Sequence, residues 1–230
     1  AAVDRANLLI KVPATQAGLI AIERLIGEGV SVNVTLMFSL AHCEAVGEAY
    51  LRGLARLRAA GGDLGGVMSV ASLFLSRVDT LVDKLLEERG GDQLALRGRS
   101  AVAMARLAYE AWQARFHGAG FEDLAAAGAR PQFMLWASTG TKNPAYSDLL
   151  YVEPLIGTDT INTLPDATLD ALRDHGRIAS TLEEDVEQAA AHFTALAAAG
   201  IDLVAVGERL QQEGLAQFEQ AFAGLLELTA

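Results

Sequence analysis

Residues 7 to 14, NLLIKVPA, are nearly continuous in apolar character and predict a short strand. Thr15 stands where an N-cap belongs, and Leu19, Ile20, Ile22, Leu25 and Ile26 recur at helical spacing up to a glycine stop at Gly29. VSVNVTLMF, residues 30 to 38, alternates with period two. Val30, Val32, Val34, Leu36 and Phe38 share one face, and Ser31, Asn33, Thr35 and Met37 share the other. A helix is expected from about Ala41 to Ala60, broken by GGDLGG at 61 to 66. Residues 67 to 75 read as a strand, and two helices follow between Val78 and Gly118, divided near the GGD at 90 to 92. RPQFMLWAS, 130 to 138, is a strand; TGTKNPAYSD is a loop; DTINTLP, 159 to 165, is a short strand closed by proline. From about Leu182 the chain is Ala- and Leu-rich helix, with Gly200 and Gly214 as punctuation.

Five strands alternate with helices, which implies a parallel sheet under a helical layer. An open doubly wound sheet and part of a (β/α)8 barrel both fit that count. The alternation at 30 to 38 favours the barrel. A doubly wound strand is apolar on both faces because helices cover both. A barrel strand turns one face to helices and the other to a lumen, where polar residues near the strand ends build a site. Lys11, Ser72, Ser138 and Asn162 fall at comparable places on the other strands.

Half of the 230 residues are apolar, enough for one domain with a substantial core, and no run of uncharged apolar residues is long enough for a transmembrane helix. The N-terminal residues lack the pattern of a signal peptide, and the single cysteine, Cys43, has no internal partner. Both features suit a cytoplasmic protein. A net charge of −11 argues against nucleic acid and anionic membranes as partners, and demands a local cluster of cations if the ligand is an anionic metabolite.

Lys11 is the unexpected residue of the first strand. A lysine held among apolar side chains gives up its proton more readily, because desolvation penalises the ammonium. The free amine can then attack a carbonyl and form a Schiff base. The alternative is a lysine at a strand edge whose head reaches into water.

IKVPAT, VNVTLMFS, SLFLSR, LWASTGTKNPAYSD and DTINTLP resemble, in order and spacing, the motifs of the transaldolase family. The resemblance runs from Asn7 through Pro165, with a helical tail behind it, and is closest to the longer bacterial branch, which also occurs fused to glucose-6-phosphate isomerase. It implies a (β/α)8 barrel of the class I aldolase type with a Schiff-base lysine on the fourth strand. It implies a transferase of the pentose phosphate pathway that moves a dihydroxyacetone unit between sugar phosphates without a cofactor, from sedoheptulose 7-phosphate and glyceraldehyde 3-phosphate to erythrose 4-phosphate and fructose 6-phosphate. Lys11 matches the nucleophile. Thr35 matches the residue that helps hold a catalytic water, and Asn33 the one that orients the three-carbon unit. Ser72 matches a hydroxyl-binding serine, Arg77 a phosphate-binding arginine, and Ser138 the seventh-strand serine. Many relatives carry an arginine shortly after that serine; here Lys142 is the nearest cation. Without the resemblance, a surface ion pair of Arg77 with Asp79 or Asp83 is the ordinary reading.

The front of the chain departs from the pattern. A fourth-strand lysine at position 11 leaves nothing ahead of it to form strands one to three, and the family's aspartate of strand one and glutamate of strand three have no counterpart. Asp4 precedes the first strand and is no substitute. Residues 1–230 are thus expected to be the C-terminal part of a single barrel, strands four to eight with their helices, 182–230 being its terminal helical segment. The remaining strands would be an N-terminal segment of the same protein, or come from another chain such as a second copy in a homo-oligomer. Without its acid/base group the 230-residue chain is expected to turn over poorly. A catalytically incomplete barrel fragment that binds sugar phosphate and a simpler Schiff-base aldolase are the competing readings.

Other signals carry less. GGDLGG lacks the Lys-Ser/Thr of a phosphate-binding loop and precedes a strand, so it reads as a turn. The four histidines are scattered, without metal-ligand spacing. Trp112 and Phe116, four apart, read as helix core.

Overall fold

The computed structural model describes Arg5 and residues 7 to 229; Asp4 lies outside the described residues. Its sheet has five parallel strands: β1 (Ile10–Pro13), β2 (Val32–Met37), β3 (Ser69–Phe74), β4 (Phe133–Ala137) and β5 (Thr160–Asn162). They lie side by side in chain order. The helices are α1 (Gln16–Gly27), α2 (Leu40–Ala59), α3 (Ser76–Arg89), α4 (Ser100–Phe116), α5 (Ala119–Ala126), α6 (Asp166–His175), α7 (Val186–Ala198) and α8 (Leu203–Thr229). Thr15 caps α1 as expected, its Oγ1 accepting from Gly18 N at 3.1 Å. GGDLGG is the turn between α2 and β3. Trp112 and Phe116 are buried in α4 with their rings in contact.

Strand order without a reversal has a physical consequence. Parallel crossovers are right-handed, so an unreversed order winds every crossover helix onto the same face; a doubly wound sheet needs a reversal. The core divides accordingly. Val12, Val32, Val34, Met37, Ala71, Leu73, Met134 and Trp136 pack with the helices in one large cluster. Val70, Leu135 and Ala137, with Leu9, Phe74 and Phe133, form a small separate cluster on the opposite face. The sheet is singly wound, in keeping with barrel architecture and not with the doubly wound alternative.

Several expectations are corrected. Leu36 does not continue the alternation of β2. The pairing with β3 slips between Val34 and Met37, so one extra residue is bulged out, and Leu36 sits at φ 59°. Met37 takes the helix-facing place instead, paired with Leu73. Gly214 does not interrupt the last helix. It lies within α8, where a Cβ would come within 2.8 Å of the Leu36 side chain, so glycine permits the helix to approach the bulge. Asn162 does not face the lumen side. It pairs with Trp136, on the helix-facing side, and its Nδ2 donates to the Tyr151 carbonyl at 3.0 Å. Helices α5 and α6 arise where none is expected from the sequence pattern.

Candidate active site

The face opposite the helices carries Lys11, Asn33, Thr35 and Ser72. Strand register sets Lys11 beside Asn33 and Pro13 beside Thr35. Asn33 Oδ1 accepts a hydrogen bond from Ser72 Oγ at 2.9 Å, tying β2 to β3 across this face. The Thr35 hydroxyl is buried and has no hydrogen-bond partner among the described residues. Ser31, at the other end of the strand, accepts from Met68 N and is structural.

Lys11 is not enclosed. It is exposed on β1, which among the described residues pairs with β2 alone, so no described strand covers its outer side. The expectation of a dry amine is corrected: the apolar neighbours in sequence alternate to the other face or are themselves exposed, as Leu8 and Ile10 are. The contact above Lys11 comes from α8, whose Phe218 ring centroid lies 5.7 Å from Nζ.

Arg77 opens α3, directly after β3. Its guanidinium stands 5.5 Å from the Phe74 ring centroid and donates to Gln217 Oε1 of α8 at 3.3 Å. It makes no ion pair with Asp79 or Asp83 among the described residues; those carboxylates accept bonds from Gly98, Ala101, Tyr146 and Tyr151. Arg77, Lys84 and Lys142 line one cavity of about 420 Å³, with Ser76, Thr80 and Glu213. Three cations converge there on a chain of net charge −11, which makes the cavity an anion site by charge. Ser138 lies at its margin at φ 55°, and its Oγ shares a 2.8 Å hydrogen bond with Ser76 Oγ.

The structure thus brings Arg77 and Lys142 together in one cavity and Lys11, Asn33, Thr35 and Ser72 together on one face. Helix α8 joins the two groups, contributing Gln217 to Arg77 and Phe218 to Lys11. It is held across the strand ends by Gln211, whose buried Nε2 donates to the carbonyls of Ala14 and Leu36, both at 3.0 Å. His42 adds a tether: Nδ1 accepts from Phe38 N, leaving Nε2 to donate to Glu208 at 3.2 Å. These α8 residues and Lys84 escape a reading of the sequence. The one signal for α8 is the pair Gly207 and Gly214, two turns apart, which marks a helix face that packs closely on Leu36 and Ser39.

The chain matches the transaldolase/fructose-6-phosphate aldolase family over residues 1–229. It is 57% identical over 225 residues to a transaldolase of Thiobacillus denitrificans, covering 97% of this chain and 63% of that protein. It is 52% identical over 226 residues to transaldolase 1 of Streptomyces coelicolor, covering 97% of this chain and 59% of the relative. A transaldolase of Mycolicibacterium smegmatis is 52% identical over 229 residues, 99% of this chain and 62% of that protein. The chain spans about three fifths of the length of the curated relatives it matches.

Proposed function

The chain belongs to the transaldolase/fructose-6-phosphate aldolase family, and from that premise we propose that it carries the Schiff-base half of a transaldolase site, transferring dihydroxyacetone units between sugar phosphates in the cytoplasm. The observation that carries this reading is the shared face on which Lys11 lies in register with Asn33, itself bonded to Ser72, while the cavity of Arg77 and Lys142 opens at the end of β3. In this reading the amine of Lys11 adds to the C2 carbonyl of a ketose phosphate and water leaves, giving an iminium. A general base supplied with the strands that close the barrel takes the C4 hydroxyl proton, the C3–C4 bond breaks with its electron pair flowing into the iminium to give an enamine, and the aldose phosphate departs; the same group returns a proton to the new hydroxyl in the transfer step. The enamine carbon attacks the carbonyl of a second aldose phosphate, and water hydrolyses the iminium to free Lys11. Asn33 and Ser72 bind hydroxyls of the three-carbon unit. Thr35, with its unpartnered buried hydroxyl, holds the water that enters and leaves. Arg77 grips the phosphate through its planar fork, and Lys142 adds a point charge. Ser138 contributes a hydroxyl beside them.

In the same reading β1 to β5 are the fourth to eighth strands of a (β/α)8 barrel. Closure takes three more strands, from a preceding segment of the same protein or from a second chain. A strand paired with β1 would cover Leu8 and Ile10 and enclose Lys11, giving the amine the desolvated setting it lacks on an edge strand.

The test is reductive trapping. With fructose 6-phosphate and borohydride, a stable covalent adduct is expected in the intact mass. Erythrose 4-phosphate added before the reductant is expected to deplete it, because transfer to the aldose empties the lysine. An adduct indifferent to the acceptor, with free dihydroxyacetone released, marks an aldolase instead. No adduct at all contradicts both.

A further inference from the structure

We propose that Tyr146 and Asp83 are positioning residues for Lys142, and that through it they set the phosphate affinity of the cationic cavity. The proposal rests on reading that cavity as the phosphate subsite.

Helix α3 presents two carboxylates one turn apart, Asp79 and Asp83, and each is used twice. Asp79 Oδ1 accepts from Ala101 N at 2.8 Å, and its Oδ2 from the Tyr151 hydroxyl at 2.9 Å. Asp83 Oδ1 accepts from Gly98 N at 2.9 Å, and its Oδ2 from the Tyr146 hydroxyl at 2.7 Å. Both tyrosines belong to the segment after β4, and both backbone donors lie at the entry to α4. The result is a ladder of two rungs joining three parts of the chain. The inner rung, Asp79 with Tyr151, is buried. The outer rung, Asp83 with Tyr146, reaches the surface beside the cationic cavity.

Lys142 precedes Tyr146 by four residues, and the turn between them is folded on itself. Thr141 Oγ1 donates to Ser147 O at 2.8 Å, Tyr146 N to Asn143 O at 3.1 Å, and Ala145 N to Asn143 Oδ1 at 2.9 Å. A turn so closed moves as one piece, so the anchor of Tyr146 fixes where Lys142 stands. The Tyr146 ring is seated on Gly98: a Cβ there would lie 2.7 Å from the ring, and Gly98 has φ 67°. A second cavity, of about 310 Å³, is lined by both rungs and shares Thr80, Lys84 and Lys142 with the cationic one. Lys142 therefore stands between the ladder and Arg77.

The chemistry explains why such an anchor matters. An ammonium on a flexible stem is a point charge without the directional fork of a guanidinium. Its pull on a phosphate depends on where it is held, and ordering a free loop on binding costs affinity. Asp83 accepts bonds from Gly98 and Tyr146 and makes no ion pair with Lys142 among the described residues. Burial and that carboxylate push the Tyr146 hydroxyl up to about 12, so it remains the donor at neutral pH.

The experiment is a calorimetric titration of inorganic phosphate into the wild type, Tyr146→Phe, Lys142→Ala and the double variant. Tyr146→Phe removes one hydroxyl and is expected to weaken phosphate binding about 3- to 10-fold. Lys142→Ala is expected to weaken it about tenfold or more. In the Lys142→Ala background the tyrosine change is expected to add less than about twofold, since its effect passes through the missing lysine. Asp83→Ala should reproduce the loss of Tyr146→Phe. Asp83→Asn, whose amide can donate to the tyrosine oxygen, should stay within about twofold of the wild type. A general loss of structure would not disappear with Lys142, nor be rescued by asparagine. Wild-type affinity in Tyr146→Phe, or additive losses in the double variant, would overturn the proposal. Phosphate titration does not depend on turnover. Coupling without a sugar adduct would sink the transaldolase reading alone, and phosphate binding indifferent to Tyr146 would sink this inference alone.

Discussion

Replacing Arg77 by alanine is expected to raise the fructose 6-phosphate concentration needed for half-maximal trapping about a hundredfold, or about 2.7 kcal/mol. The guanidinium offers parallel N–H groups to a phosphate, and each charge-assisted bond is roughly twice as strong as a neutral one. In the structure the fork is already held. It stands 5.5 Å from the Phe74 ring and its Nη1 donates to Gln217. A neutral amide partner is a modest competitor, so an arriving dianion displaces it at small cost. Arg77→Lys keeps the charge and loses the fork, so about a tenfold loss is expected, well short of the alanine variant. Gln217→Ala, which removes only the competitor, should not weaken binding. Equal affinities for wild type and Arg77→Ala would remove the cavity from the account.

The second large effect lies behind the site. Burial, which outweighs the bonds from Ala101 and Tyr151, pushes the Asp79 carboxyl up to about 6 from its ordinary 3.8, and nearby Asp83 adds to the rise. A carboxyl raised on folding binds more protons in the native than in the unfolded state between those two values. Stability from this group is therefore greatest below about pH 4 and falls as pH rises through 6, by about 3 kcal/mol. The sign is opposite to that of Glu23, whose carboxyl Arg52 and Arg56 hold below the usual range, so that its contribution is lost on acidification. Asp79→Asn separates the two. The amide keeps an acceptor for Ala101 and faces the Tyr151 oxygen with a donor, so the ladder survives while the buried charge goes. Urea unfolding at pH 4 and pH 7 is expected to show the variant gaining on the wild type by about 2 kcal/mol between the two. A difference independent of pH would mean that Asp79 titrates as an ordinary exposed carboxyl.

Much of the fold is legible in the pattern of residues. Apolar runs bounded by turn residues, one of them alternating with period two, located all five strands, and the polar face of 30 to 38 distinguished a singly wound sheet from a doubly wound one. Asn33 and Ser72 share a face because each follows the alternation of its own strand, and a hydrogen bond joins them. What escaped depends on partners distant in sequence. The bulge at Leu36 is stabilised by Gln211, 175 residues away. Asn162 sits on a strand of only three residues, too short for alternation to assign a face. The apolar run around Lys11 suggests burial, but an edge strand buries its side chains only where a neighbour covers them, and neighbours are set by tertiary pairing. Tyr146 and Asp83 look like an ordinary loop residue and an ordinary helix carboxylate until the fold brings them together. Lys142 is found from the motif, but its place beside Arg77 depends on that same ladder.

The most direct measurement is to map the borohydride-trapped adduct. The chain has three lysines, Lys11, Lys84 and Lys142, so proteolysis and peptide mass assign it without ambiguity. A fructose 6-phosphate-dependent adduct is expected on the peptide containing Lys11, absent in Lys11→Met. An adduct on Lys84 or Lys142, or one that persists in Lys11→Met, would contradict the Schiff-base role of Lys11.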